Sequence, residues 1–179
     1  MPFSIRTTTF DDIPALTVLI AESARGLCKS DYTEAQIEAA LQSAWGVDSE
    51  LIRDQTYFVV EQNKQIIACG GWSRRKTLFG GDQQPDRQSE LLNPAKEPAR
   101  IRAFFVHPKA ARNGIGSALL KKCESAAEAA GFRSFELVAT LPGQRLYTAH
   151  GYASGEAKDY PLPGGITIEF VPMRKELRS

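Results

Sequence analysis

Between residues 104 and 117 the chain reads Phe-Phe-Val-His-Pro-Lys-Ala-Ala-Arg-Asn-Gly-Ile-Gly-Ser. An apolar β-rich run is stopped by Pro108, a short polar turn follows, and glycines two apart open a stretch of helical periodicity, so a strand is predicted to turn directly into a helix. The first N–H groups of such a helix have no intrahelical acceptor and lie at the positive end of its dipole. They make an anion site, and Gly114 and Gly116 leave out side chains that would hold a diphosphate away from it. A lone G-x-G also serves tight packing between strand and helix, so the pair needs support from elsewhere in the chain. No G-K-[ST] follows the glycines and they lie past mid-chain, which argues against an ATP or dinucleotide site.

That support comes from two longer stretches. Residues 101 to 120, Ile-Arg-Ala-Phe-Phe-Val-His-Pro-Lys-Ala-Ala-Arg-Asn-Gly-Ile-Gly-Ser-Ala-Leu-Leu, closely resemble the cofactor motif of the GNAT acetyltransferases, where V-x-P precedes a G-x-G segment and a leucine-bearing helix. Leu146-Tyr147-Thr148-Ala149-His150-Gly151-Tyr152 is similar to that superfamily's aromatic F-Y-x-x-x-G-F element. The order of elements agrees along nearly the whole chain. The resemblance implies acetyl-CoA as co-substrate, with backbone groups of Phe104, Phe105 and Val106 toward pantetheine and the amides of Arg112, Asn113, Gly114, Ile115, Gly116 and Ser117 toward the pyrophosphate. It implies Tyr147 as the general acid for the leaving thiolate, a buried ring with its hydroxyl tied to backbone being the alternative. The implied reaction is direct attack by a primary amine, small-molecule or peptide, in a ternary complex. A non-catalytic acyl-CoA-binding sensor or assembly module on the same fold is the rival.

Two positions depart from the family pattern. Ala111 stands where many relatives carry Arg or Gln, leaving Arg112 as the nearest cation, and Thr140 stands where an Asn is frequent. An alkyl ammonium with a pKa of about 10.4 is neutral in roughly one molecule per thousand at pH 7, so a base or a water chain is expected. Glu61, Glu136, His107 or water are the candidates. Arg100 and Arg102 cannot act as bases; they either grip an acceptor carboxylate or pair as solvated strand residues with Glu97 or Glu136. His107 is equally readable as a satisfied turn residue beside Pro108, and Tyr32 and Trp72 as core or as acceptor-pocket walls.

The elements that must carry these groups follow from periodicity. A strand is predicted over 3–9, a helix from Asp11 with Ile13, Leu16, Leu19 and Ile20 on one stripe and Gly26 at its end, and a second helix capped by Thr33-Glu34-Ala35-Gln36. Residues 56–62 and 65–73 form a hairpin about Asn63-Lys64. Residues 76–98, with Gly80-Gly81, Pro85, Asn93-Pro94 and Pro98, read as a long surface excursion. The strand 99–107, the helix bearing Ile115, Leu119, Leu120, Cys123, Ala126, Ala127 and Ala130, and the strand 134–140 form a right-handed β-α-β unit. A short helix near 143–150 and strands near 152–159 and 166–173 complete the chain. The expected fold class is α/β (α+β): a GNAT-like central mixed, mostly antiparallel sheet of six to seven strands, helices on both faces, and a parallel pair splayed around the cofactor. Residues 1–179 are expected to form a single domain.

Composition narrows the partners. With 22 basic and 21 acidic residues the formal charge is +1, too weak a field to gather nucleic acid or anionic membrane. Cys28, Cys69 and Cys123 are too far apart for a C-x-x-C pair or a disulfide framework, and two histidines offer no triad or metal cluster. No metal is expected. Neither a leader pattern nor about 18 uninterrupted apolar residues occurs, so a cytoplasmic location is expected. The C-terminal strand is available for a homodimer or for closing its own sheet.

Overall fold

A computed structural model describes residues 2–84 and 87–178. Pro85, one of the turn residues read in the excursion, lies outside them. The elements run β1 (Ser4–Thr7), α1 (Ile13–Leu27), α2 (Glu34–Leu41), α3 (Ser49–Arg53), β2 (Tyr57–Gln62), β3 (Gln65–Ser73), β4 (Ala99–Val106), α4 (Ile115–Ala129), β5 (Ser134–Ala139), α5 (Gln144–Ala149), β6 (Ala153–Ser154), β7 (Lys158–Pro161) and β8 (Thr167–Glu176). The sheet order is β1-β2-β3-β4-β5-β8-β6, with β7 also on β8, giving eight strands among the described residues. All pairings are antiparallel except β4 with β5. The region expected as one strand over 152–159 is two short ones, which pair in succession along β8.

Each face of the sheet has its own core. On one, α1 and α2 bury Leu16, Leu19, Ile20, Ile37 and Trp45 with Phe170; on the other, α4 buries Ile115, Leu119, Leu120 and Cys123 with Phe135 and Tyr152. The Thr33 capping box forms as expected, its hydroxyl accepting from the Gln36 amide at 3.1 Å while Gln36 accepts from the Thr33 amide at 2.9 Å. Gly26 does not end α1, which continues through it to Leu27. A Cβ there would lie 2.4 Å from Pro108, so the glycine lets the helix touch the turn after β4. Tyr32 and Trp72 are core residues, 5% and 3% exposed. The Tyr32 hydroxyl donates to the Glu169 carbonyl at 2.6 Å and accepts from the Leu141 amide at 2.9 Å, tying the chain after β5 to β8.

The excursion is less free than expected of a surface loop. Residues 74–77 fold back against 88–92 through Leu92 N–H to Arg74 O (2.7 Å), Lys76 N–H to Glu90 O (2.9 Å) and the Thr77 hydroxyl to Gln88 O (2.6 Å). Thr77 and Leu92 are both buried. The arm thus forms a wall of the interior, and the groups that pin it belong to the site.

Candidate functional site

The sheet opens between its two parallel strands. β4 and β5 are paired only at Ala99–Phe135 and Arg100–Glu136, after which β4 stays with β3 and β5 with β8. A bulge in β4 falls opposite Gly70, where Ala103 adopts φ 56°. An L-residue in that region costs about 1–2 kcal/mol, a strain the surrounding strand must hold in place. Beyond the bulge, His107 donates its amide to the Ile67 carbonyl at 2.8 Å. Amides alternate in direction along a paired strand, so Val106, one residue earlier, turns its N–H away from β3 and into the gap.

A cavity of about 440 Å³ passes through this gap. Its walls include Phe104, Phe105 and Val106 of β4, Leu137 to Ala139 of β5, Arg112, Gly114, Gly116 and Ser117 at the start of α4, and Tyr147 of α5. On the opposite side of the sheet it reaches Cys28, Trp45, Phe79, Arg102 and Phe170. Seven of the nine cofactor positions expected from the sequence therefore meet in one wall. The other two do not line it: Ile115 is 3% exposed in the core beneath α4, and the Asn113 side chain donates to the Ala110 carbonyl at 3.3 Å.

At α4, Gly114 is the N-cap with φ 77°, no side chain caps the helix, and Ala118 is the residue whose amide reaches back to the Gly114 carbonyl. The amides before it point out of the helix end. A Cβ on Gly114 would meet open space, whereas one on Gly116 would press Leu146 at 3.3 Å. The two glycines thus have different reasons: the first allows a left-handed turn beneath an open approach, the second lets α5 pack close. The Ser117 hydroxyl lies 2.9 Å from His150 Nε2, a pairing that sequence spacing did not reveal.

Tyr147 is 8% exposed, with its ring edge-on to Phe104 (centroids 6.2 Å) and Tyr152 (5.7 Å). Burial raises its pKa above the ordinary tyrosine range, so it is protonated at neutral pH. The same burial acts on Cys28, pushing its thiol up to about 12 and keeping it neutral. Thr140, which lines the cavity where an Asn was considered, accepts from the Gly143 amide at 3.1 Å and so shapes the entry to α5.

The sequence-based candidates for the base lie elsewhere. Glu61 is held by Arg6 at the β1–β2 edge. Glu136 pairs with Arg100 at 3.1 Å, which makes Arg100 a strand-pairing residue. His107 accepts from the Lys109 amide at Nδ1 (3.1 Å), its Nε2 lies 3.1 Å from Glu22, and so it caps the turn. Among the described residues lining the cavity there is neither carboxylate nor imidazole.

Arg102 corrects the reading of a solvated strand residue. It is neither solvated nor paired with Glu97 or Glu136, but 3% exposed, with Nη2 2.6 Å from Asp48 and further donation to the carbonyls of Gly80 and Thr77. Desolvation lowers its pKa, partly offset by the Asp48 charge. Asp48, fully buried, also takes Arg87 at 2.7 Å and the Glu50 amide at 3.0 Å. Asp82 accepts from the amide and hydroxyl of Ser49, both at 2.9 Å. This cluster fastens the arm over the α1 side of the cavity. Sequence reading missed it because its members come from α3, β4 and the excursion, with no shared spacing.

The sheet is thus of mixed α/β class, split between two parallel strands over the uncapped start of the helix that connects them. The profile of the acetyltransferase (GNAT) family matches residues 19–152, and the chain belongs to that family. Solved structures agree on the fold. A GCN5-related N-acetyltransferase from Rhodopseudomonas palustris superposes with TM-score 0.72 at 16% identity, over 99% of this chain and 97% of that one. A PaiA N-acetyltransferase from Thermoplasma acidophilum, in complex with coenzyme A, gives 0.68 at 14%, over 98% and 99%. A ribosomal-protein-S18-alanine N-acetyltransferase from Escherichia coli gives 0.60 at 15%, over 99% and 96%. No curated protein matches the sequence. Among the described residues no helix is long and apolar enough to cross a membrane.

Proposed function

We propose that this chain transfers acetyl from acetyl-CoA to a primary amine by direct attack within a ternary complex. The observation that carries the reading is the cavity itself, which runs through the sheet from the uncapped start of α4 to a mainly apolar chamber on the far face. The residues fit the co-substrate: the open space above Gly114 and the free amides of the helix start suit a pyrophosphate, and the unpaired edges of β4 and β5 suit an amide-bearing arm lying between them as an added strand. Acetyl-CoA supplies the activated acyl group as a thioester.

The protein's own groups then have separate tasks. The Val106 amide, fixed in the gap by the His107–Ile67 bond, donates to a carbonyl oxygen on which negative charge grows during attack. As the nitrogen–carbon bond forms and the carbon–sulfur bond breaks, Tyr147 protonates the departing sulfur. Burial raises the pKa of phenol and thiol alike, which keeps donor and acceptor matched. The amine's proton leaves through water, since the described walls hold no base, and water returns one proton to the Tyr147 phenolate. A covalent acyl-enzyme is not needed, because Cys28, the cysteine in the wall, stays a neutral thiol.

Thermal shift with acetyl-CoA, CoA, ATP and NAD tests the binding half. Acetyl-CoA at a hundredfold excess over Kd is expected to add about 2.7 kcal/mol of stability, with no shift from ATP or NAD. Thiol release in the presence of an amine panel tests the chemical half. Binding without release against any amine would favour an acyl-CoA sensor instead.

A further inference from the structure

The chamber beyond the β4–β5 gap has a chemistry of its own. Resting on the transferase reading, we propose that its acceptor is a primary amine borne on an aromatic or branched apolar group and carrying no second charge. Leu27, Trp45, Leu78, Phe79 and Phe170 form its walls. Trp45 and Phe170 are 6% and 2% exposed and pack on each other at 6.2 Å, and Phe79 stands edge-on to Phe170 at 5.9 Å, so the shape is set before anything enters. A preformed, mainly apolar chamber gains its affinity by taking apolar area out of water.

Charge decides what else is admitted. Among the described residues lining that side the ionised group is Arg102, and its charge is already answered by Asp48 at 2.6 Å while its Nη atoms also serve the Gly80 and Thr77 carbonyls. Its Nε has no partner but is sealed from solvent, so an acceptor carboxylate finds no open guanidinium face. No carboxylate lines the described wall, so a second ammonium would lose its water without gaining a counter-ion. Polyamines, lysine side chains and free amino acids are thereby disfavoured. The same lack of counter-charge pushes the one attacking nitrogen toward its neutral, nucleophilic form, which suits a wall that offers no base.

Four amines separate these terms. With the full chain and acetyl-CoA, kcat/KM for 2-phenylethylamine is expected to exceed that for ethylamine, spermidine and phenylalanine by tenfold or more. Ethylamine isolates the apolar group, spermidine the extra cation and phenylalanine the added carboxylate. Spermidine or phenylalanine equalling 2-phenylethylamine overturns the proposal. Phe79→Ala is expected to raise KM for 2-phenylethylamine about tenfold with KM for acetyl-CoA unchanged, and Phe79→Leu, which keeps a large apolar side chain, to recover most of the loss. An unchanged amine KM in Phe79→Ala counts against it. Calorimetric titration of each amine into protein saturated with CoA, and into protein alone if CoA does not bind, reads the chamber independently of catalysis. Tighter binding of 2-phenylethylamine than of spermidine supports the assignment even if transfer fails, while equal, reversed or undetectable binding refutes it.

Discussion

The two ends of the cavity are built in opposite ways. Toward α4 the polar groups on offer are mainly main chain: free amides after Gly114, the Val106 N–H, and the unpaired edges where β4 and β5 part. Toward α1 the walls are side chains gathered from α1, the segment after α2, the excursion and β8, with the arm held down by Asp48, Arg87 and Arg102. On the proposed function, the first end would recognise what every acyl-CoA shares and tolerate changes in the side chains around it. The second would recognise one acceptor and depend on each contributor. The difference teaches where stability and where chemistry are vulnerable.

The largest effect is expected at the side-chain end. Asp48→Ala leaves the buried Arg102 guanidinium without its carboxylate, while the half-buried Arg87 keeps Glu50 and Asp82, and should lower unfolding free energy by about 3–5 kcal/mol in denaturant titration. A loss under about 1 kcal/mol would break the claim that this cluster holds the arm. If the folded fraction still binds acetyl-CoA with unchanged Kd, the two ends are independent.

At the main-chain end, Gly114→Val places a β-branched side chain at φ 77° and in the open approach to the helix start. Affinity for CoA by calorimetry is expected to fall at least about a hundredfold, whereas backbone strain of about 1–2 kcal/mol appears separately as a lower Tm. Retained affinity would move the pyrophosphate away from α4. Tyr147→Phe should reduce kcat about tenfold or more and leave Kd for acetyl-CoA nearly unchanged, since the hydroxyl is assigned to proton transfer and the ring to packing. Wild-type turnover would remove the tyrosine from the chemistry. The smallest effect tests the scaffold: Thr33→Ala deletes the α2 cap and is expected to cost about 1 kcal/mol in thermal unfolding, with kinetic constants at saturating substrates unaltered.

Legibility follows the same division. The strand-turn-helix at 99–129 and its glycines were readable because these residues are neighbours in sequence as well as in space, whereas Tyr147 came from the family resemblance. The length of α1 was misread because Gly26 signals a helix end locally, while contact with Pro108 is what explains it. Arg102 was misread because alternation along a strand says which face a side chain takes, not that α3 and a distant arm will bury it beside Asp48. Glu61, Glu136 and His107 have the right chemistry for a base, but each is claimed by a partner that no spacing announces.

By itself, then, the sequence determined the period of the longer elements, though not α3 or the break between β6 and β7, and the proline and glycine that end β4 and begin α4. Only the tertiary structure decided how wide β4 and β5 stand apart, which arginine is spent on structure, and which aromatic rings close the far chamber. Local propensities act over a few residues and are written in them, whereas burial and long-range pairing depend on segments that meet only after the chain has folded.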